Sequence, residues 1–283
     1  LAHCAHPQFV AQSIAGHFEP AFDRADLFGG GGEPHGHRPE LDAPARDALT
    51  RAHFKALGMA LIEMGLGRWA SDRHLASITQ LDGVEHVHRA LDEGRGVILL
   101  SAHFTTLEIM GRVLATAIPP FDAVFRKNRS EFMTELQRSG REKSADTTIE
   151  KRDIKKMVRS LLSGRAVWYA PDQSYSRKGA EIVEFFGVPC MHATATSTLA
   201  RLGKAVTIPF FPLRKPDGTY EMTLLPPLDN FPSDDPVADT RRYVGALEAH
   251  IRKVPEQYFW IHRKFKDLPD GFPDYYADLD ASK

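Results

Sequence analysis

Gly96-Val-Ile-Leu-Leu-Ser-Ala-His-Phe-Thr-Thr-Leu-Glu-Ile-Met110 is the stretch whose reading decides the fold. The apolar run Val97 to Leu100 is short and ends abruptly at Ser101, as a buried strand does. A helical pattern then begins near Thr105 and places Leu107, Met110, Val113, Leu114 and Ala117 on one face, until Pro119-Pro120 stops it. His103 lies in the junction, and Glu108 follows five residues later, within the first helical turn. A base with a carboxylate to orient it can deprotonate a hydroxyl, so His103 and Glu108 are the candidate catalytic pair. Thr105-Thr-Leu-Glu108 also reads as a capping box, and the amides of Thr105 and Thr106 are candidate oxyanion donors.

The same alternation extends outward. Helical periodicity sets in at Asp47 and recurs over Val84–Leu91, Glu131–Ser139, Asp153–Leu162, Thr194–Leu202 and Asp239–Lys253. Strands are predicted at Phe121–Phe125, Ala166–Ala170, Val183–Phe186, Ala205–Phe211 and Tyr220–Leu225, with Lys215-Pro-Asp-Gly218 as a turn. Alternating strands and helices predict an α/β domain, a mixed and mainly parallel sheet flanked by helices. Ligands collect at the carboxyl ends of such strands. His103, Arg126 and Asp172 with Gln173 each fall at one of those ends.

The 283 residues are 42% hydrophobic, enough for a substantial core, and the net charge of -1 argues against a nucleic-acid binder. Residues 126–165 depart from that balance, with twelve Lys/Arg against six Asp/Glu. A basic segment of this kind suits an acidic protein or an anionic lipid surface. Cys4 and Cys190 form no disulfide or zinc pattern and neither shows a base partner, and His103 with Glu108 supplies too few ligands for a metal. Residues 1–46 lack periodicity, carry Gly29 to Gly32 in a row and hold five of the thirteen histidines. They are read as a poorly ordered segment ahead of one domain over 47–283.

The His103-x-x-x-x-Glu108 element resembles the motif of glycerolipid acyltransferases. The surrounding sequence resembles more specifically the lipid A late acyltransferases of Gram-negative bacteria. That likeness is carried by Gly94–Phe104, Val167-Trp-Tyr-Ala-Pro-Asp-Gln173, Pro209–Pro212 with Arg214–Gly218, and Pro255–Phe265. It spans about residues 50 to 276. The resemblance implies transfer of a fatty acyl chain from acyl carrier protein to a hydroxyl of a lipid A precursor, at the cytoplasmic face of the cell inner membrane. His103 would be the general base and Glu108 its orienter. Arg126, Asp172 and Gln173 would bind substrate, Arg263, Lys264 and Lys266 could contact lipid headgroups, and neither metal nor organic cofactor would be needed. Family members usually begin with a hydrophobic anchor and a basic stretch, and residues 1–46 carry neither, so attachment through a basic or aromatic surface is expected instead. The competing readings are an acyl-thioester hydrolase and a non-catalytic module that binds lipid or carrier protein.

Overall fold

The computed structural model describes residues 43–126, 131, 135, 141 and 144–276. The glycine run, the five N-terminal histidines and Cys4 lie outside these residues, as does most of the helix expected over 131–139.

The chain enters through α1 (Ala43–Trp69), which starts a few residues before the expected point, and α2 (Asp72–Ser77). The core elements follow as β1 (Thr79–Asp82), α3 (Val84–Asp92), β2 (Val97–Leu100), α4 (Leu107–Ala117), β3 (Phe121–Phe125), β4 (Thr147–Glu150), α5 (Ile154–Leu162) and β5 (Ala166–Tyr169). A hairpin of β6 (Ala180–Phe185) and β7 (Val188–Ala193) leads to α6 (Ala195–Gly203), β8 (Val206–Arg214), β9 (Tyr220–Leu224) and α7 (Pro236–Ile251). A 3-10 turn, Pro255–Gln257, precedes the C-terminal segment.

Seven strands form one sheet in the order β1-β9-β8-β2-β5-β3-β4. The β8–β9 pair is antiparallel and the other pairs are parallel, as the α/β reading requires. The central strands are apolar on both faces because helices cover both. Ile98, Leu100, Val167 and Tyr169 point into one core, where Met157 and Leu161 of α5 and Val244 and Leu247 of α7 meet them. Val97, Leu99, Ala166 and Trp168 point into the other, against Ile109, Met110 and Val113 of α4 and Val87 of α3. The sheet's centre tolerates no side chain at Gly96, where an added Cβ would lie 2.2 Å from the Leu161 carbonyl oxygen. Asp153 starts α5 by accepting the Lys156 N–H at 2.9 Å.

Candidate active site

β2 and β5 are parallel neighbours with Leu100 opposite Tyr169. Their ladder runs one step further, as the Ser101 N–H donates to the Tyr169 carbonyl at 2.9 Å. His103 is the third residue beyond the end of β2, and Asp172 is the third beyond the end of β5. Equal offsets from paired strand ends bring the two together. His103 Nδ1 lies 2.6 Å from Asp172 Oδ1, and the His103 backbone N–H donates to Asp172 Oδ2 at 3.1 Å. The Tyr258 hydroxyl donates to the same Oδ2 at 3.1 Å.

The carboxylate that holds His103 is therefore Asp172, where the sequence pointed to Glu108. The His103–Phe104 segment is not helical, so a five-residue separation does not fold Glu108 back onto the ring. Glu108 is the second residue of α4 and turns instead to Arg141, with Oε1 3.6 Å from Nη2. No capping box forms either, because Thr106 is the N-cap and its side chain caps nothing. Of the two candidate oxyanion amides, that of Thr105 is taken by the Gln257 carbonyl at 2.8 Å.

Asp172 is also not a substrate-facing group. Only 1% of it is exposed, and its oxygens are filled from within the protein. Burial alone would push its pKa up. The His103 charge, the His103 hydrogen bonds and the charge of Lys264 more than offset this and hold it well below the usual carboxylate range. The His103 side chain remains 31% exposed. With Nδ1 committed to Asp172, Nε2 is the nitrogen left for a ligand, and the residue lines a cavity of about 530 Å³. That volume falls within the range of small-molecule sites.

Arg126, Glu108 and Gln173, all named from the sequence, line the same cavity with Arg141 and Lys151. Its apolar wall includes Met64 of α1, Leu107 of α4, Val124, Trp168 and Phe259. α1 can approach so closely because residue 67 is glycine, where a Cβ would meet the Glu108 carbonyl oxygen at 3.2 Å.

The C-terminal segment clamps the His103 loop. The Phe259 N–H donates to the His103 carbonyl at 2.9 Å, and Phe104 bridges to Tyr258. Lys264 belongs to this clamp and not to a lipid-facing surface. It is 1% exposed, its ammonium donates to the Asp172 backbone carbonyl, and it sits 5.4 Å from the Phe185 ring centroid. Burial lowers its pKa, which the Cys190 and Asp172 charges oppose. Arg263 lies over the Tyr276 ring, and Lys266 is 3.8 Å from Asp267. Cys190 does have an imidazole neighbour, His192 Nε2 at 2.9 Å, because residues two apart on β7 share a face. Both are buried, and burial pushes the thiol up to about 11, which suits packing and not nucleophilic attack. Within the basic segment, Arg165 is structural and pairs with Asp122 at 2.9 Å and Asp146 at 2.7 Å.

Tyr258 was not identified as a site residue from the sequence, Lys264 was expected at a lipid headgroup and not beside Asp172, and Arg141 and Lys151 were not identified. The aromatic and basic stretch Pro255–Phe265 was the available signal for the first two.

Comparison with known proteins follows the same outline. The sequence model of a family described as "Bacterial lipid A biosynthesis acyltransferase" matches residues 39–267. A lipid A biosynthesis lauroyltransferase of Escherichia coli (strain K12) is 36% identical over 241 residues, covering 84% of this chain and 78% of that protein. A lipid A biosynthesis palmitoleoyltransferase of the same organism is 34% identical, with the same coverage. A lipid A biosynthesis acyltransferase of Haemophilus influenzae (strain ATCC 51907 / DSM 11121 / KW20 / Rd) is 31% identical over 82% of this chain and 75% of its own length.

Proposed function

Because this chain belongs to the bacterial lipid A biosynthesis acyltransferase family, we propose that it transfers a fatty acyl group from the thioester of acyl carrier protein to a hydroxyl of a lipid A precursor, with His103 as general base and Asp172 as its orienter. The observation that carries the mechanism is the 2.6 Å contact between a partly exposed imidazole and a buried carboxylate at a cavity of about 530 Å³.

Asp172 holds the proton on Nδ1, so Nε2 can accept the proton of the acceptor hydroxyl. The oxygen attacks the thioester carbonyl and a tetrahedral oxyanion forms. The C–S bond then breaks, and the pantetheine sulfur leaves with the proton returned from Nε2. Asp172 stabilises the imidazolium in between without taking the proton. Arg141 lines the cavity and is held by the Val124 carbonyl at 3.2 Å and by Glu108, so its guanidinium is a fixed charge for the oxyanion. Glu108 thus acts through Arg141. The apolar wall of Met64, Leu107, Val124 and Trp168 accepts the acyl chain.

Among the described residues, no helix is long and apolar enough to cross a membrane. α1, which supplies part of the cavity wall, leaves Leu61, Ile62 and Trp69 exposed, the last by 80%. That apolar face supports working contact with the inner membrane surface from its cytoplasmic side.

The test is incubation with carrier protein bearing acyl chains of graded length and a tetra-acylated acceptor. One thioester should be consumed per acyl group gained by the lipid, read by mass. Free fatty acid released at the same rate without acceptor would make the protein a thioester hydrolase. Binding of carrier protein with no thioester consumed would make it a binding module.

A further inference from the structure

We infer that Lys264 is a positioning residue, whose buried ammonium shares the Asp172 carboxylate with His103 and so sets how readily the imidazole takes and returns a proton. The inference deepens the proposed reaction and rests on its pairing of His103 with Asp172.

Lys264 is buried in the C-terminal segment and does not line the His103 cavity. An ammonium has three protons to donate. One goes to the Asp172 backbone carbonyl and another faces His192 Nδ1 at 3.4 Å, while the Phe185 ring covers a further side. His192 therefore accepts at Nδ1 and donates from Nε2 to Cys190 Sγ at 2.9 Å, and the thiol faces the Val183 carbonyl at 3.5 Å. Every group in this chain of contacts is satisfied with Lys264 charged and His192 neutral, in line with the burial that lowers the His192 pKa. Among the described residues no ion pair ties the ammonium to a carboxylate, so its charge is not cancelled in place.

A buried charge is costly, and a neutral donor would hold one carbonyl as well. What the charge adds is its action on Asp172. Burial disfavours that carboxylate, the charge and hydrogen bonds of His103 oppose this most, and Lys264 is the next cation. His103 is charged only after it has taken the substrate proton, so in the resting site Lys264 keeps Asp172 ionised. Once the imidazolium forms, two cations share one carboxylate. That sharing weakens the hold on the proton and favours its return to the leaving sulfur. The other groups around Asp172 do not compete. Burial keeps Tyr243, Tyr258 and Cys190 protonated and His192 and His262 neutral, and Lys151 acts from the cavity wall.

Titration of the His103 ring by NMR, its resonance identified by loss in His103→Ala, tests this without turnover. Lys264→Met removes the charge, Lys264→Gln removes it but keeps a donor for the Asp172 carbonyl, and Lys264→Arg keeps both. In the two neutral variants the His103 titration should move to higher pH by about one pH unit, because the carboxylate then holds the imidazolium unopposed. In Lys264→Arg it should stay in place. Acyl transfer should follow: kcat/KM of Lys264→Gln falls about tenfold on the acid limb of its pH profile and regains the wild-type value above it. A role in packing alone would lower the rate equally at every pH. An unmoved titration in folded neutral variants overturns the inference even if transfer is confirmed. A moved titration supports the coupling even if no transfer is found, a result that counts against the reaction alone. If neither neutral variant folds, the charge is structural and the inference is overturned.

Discussion

His103→Ala and Asp172→Asn are each expected to slow acyl transfer by ~10³–10⁴-fold, and the double variant by no more than the larger single loss. The first removes the proton acceptor. The second keeps the shape but offers an amide where Nδ1 needs an acceptor. The imidazole then shifts its proton to Nε2 and presents a donor to the substrate hydroxyl. Because the two residues work as one unit across a 2.6 Å bond, the second loss has nothing left to remove. Glu108→Gln is expected to cost less, about 10²-fold, since it loosens Arg141 and leaves the His103–Asp172 pair intact. Single-turnover rates with carrier-bound donor rank the three variants. A Glu108→Gln loss equal to that of Asp172→Asn, with Asp172→Asn near wild type, would return the orienting role to Glu108.

That ranking also shows where the sequence stops being legible. β2 and β3 are visible to the residue because Val97–Leu100 is apolar on both faces, as a buried parallel strand is, and Phe121–Phe125 is apolar apart from Asp122, with Gly, Ser and Pro among the residues that bound them. β1 (Thr-Gln-Leu-Asp) and β4 (Thr-Thr-Ile-Glu) are edge strands, polar and half exposed, and only their neighbours make them strands. The three strand-end clusters at His103, Arg126 and Asp172 are legible as polar breaks after apolar runs. Which carboxylate meets His103 is not, because it depends on the β2–β5 register, a contact between segments 69 residues apart. Glu108 is near in sequence and the helix carries it away, whereas Asp172 is far in sequence and the sheet delivers it. Lys264 misleads for a related reason. A lysine in a basic cluster reads as surface, and only the packing of the C-terminal segment beneath Asp172 buries it.

Acidification from pH 7 to pH 5 is expected to remove about 5 kcal/mol of folding stability through three of the histidines that the fold keeps neutral, and the buried His192, also held well below its ordinary pKa, adds to the loss. Burial lowers the pKa of His53 to about 4, of His250 to about 4 and of His262 to about 3, against partial opposition from hydrogen bonds or nearby charges. The geometry agrees. His53 Nδ1 donates to the Glu256 carbonyl at 2.7 Å, while its Nε2 is buried with no partner among the described residues to stabilise a second proton there. His250 is packed between Phe104 and Phe211, and His262 Nε2 accepts the Ser174 N–H at 2.9 Å. A histidine free to titrate near 6.5 in the unfolded chain binds a proton there before the native state does. Stability is therefore full above about pH 6.5 and falls as pH drops toward the native values, by about 2 kcal/mol per residue at pH 5. The depressed pKa of Asp172 adds to this only below about pH 4, where the unfolded carboxylate begins to protonate. Since a domain holds only 5–15 kcal/mol in total, the loss reaches a large fraction of it. Urea unfolding at the two pH values measures the effect directly, and His250→Phe should reduce the difference by about 2 kcal/mol even if it lowers stability at pH 7. An equal difference in wild type and variant would mean that His250 titrates in the native fold as it does in the open chain. All three imidazoles brace the segments that hold His103, through Glu256, Phe104 and Ser174, so acid should loosen the catalytic loop before it dismantles the sheet.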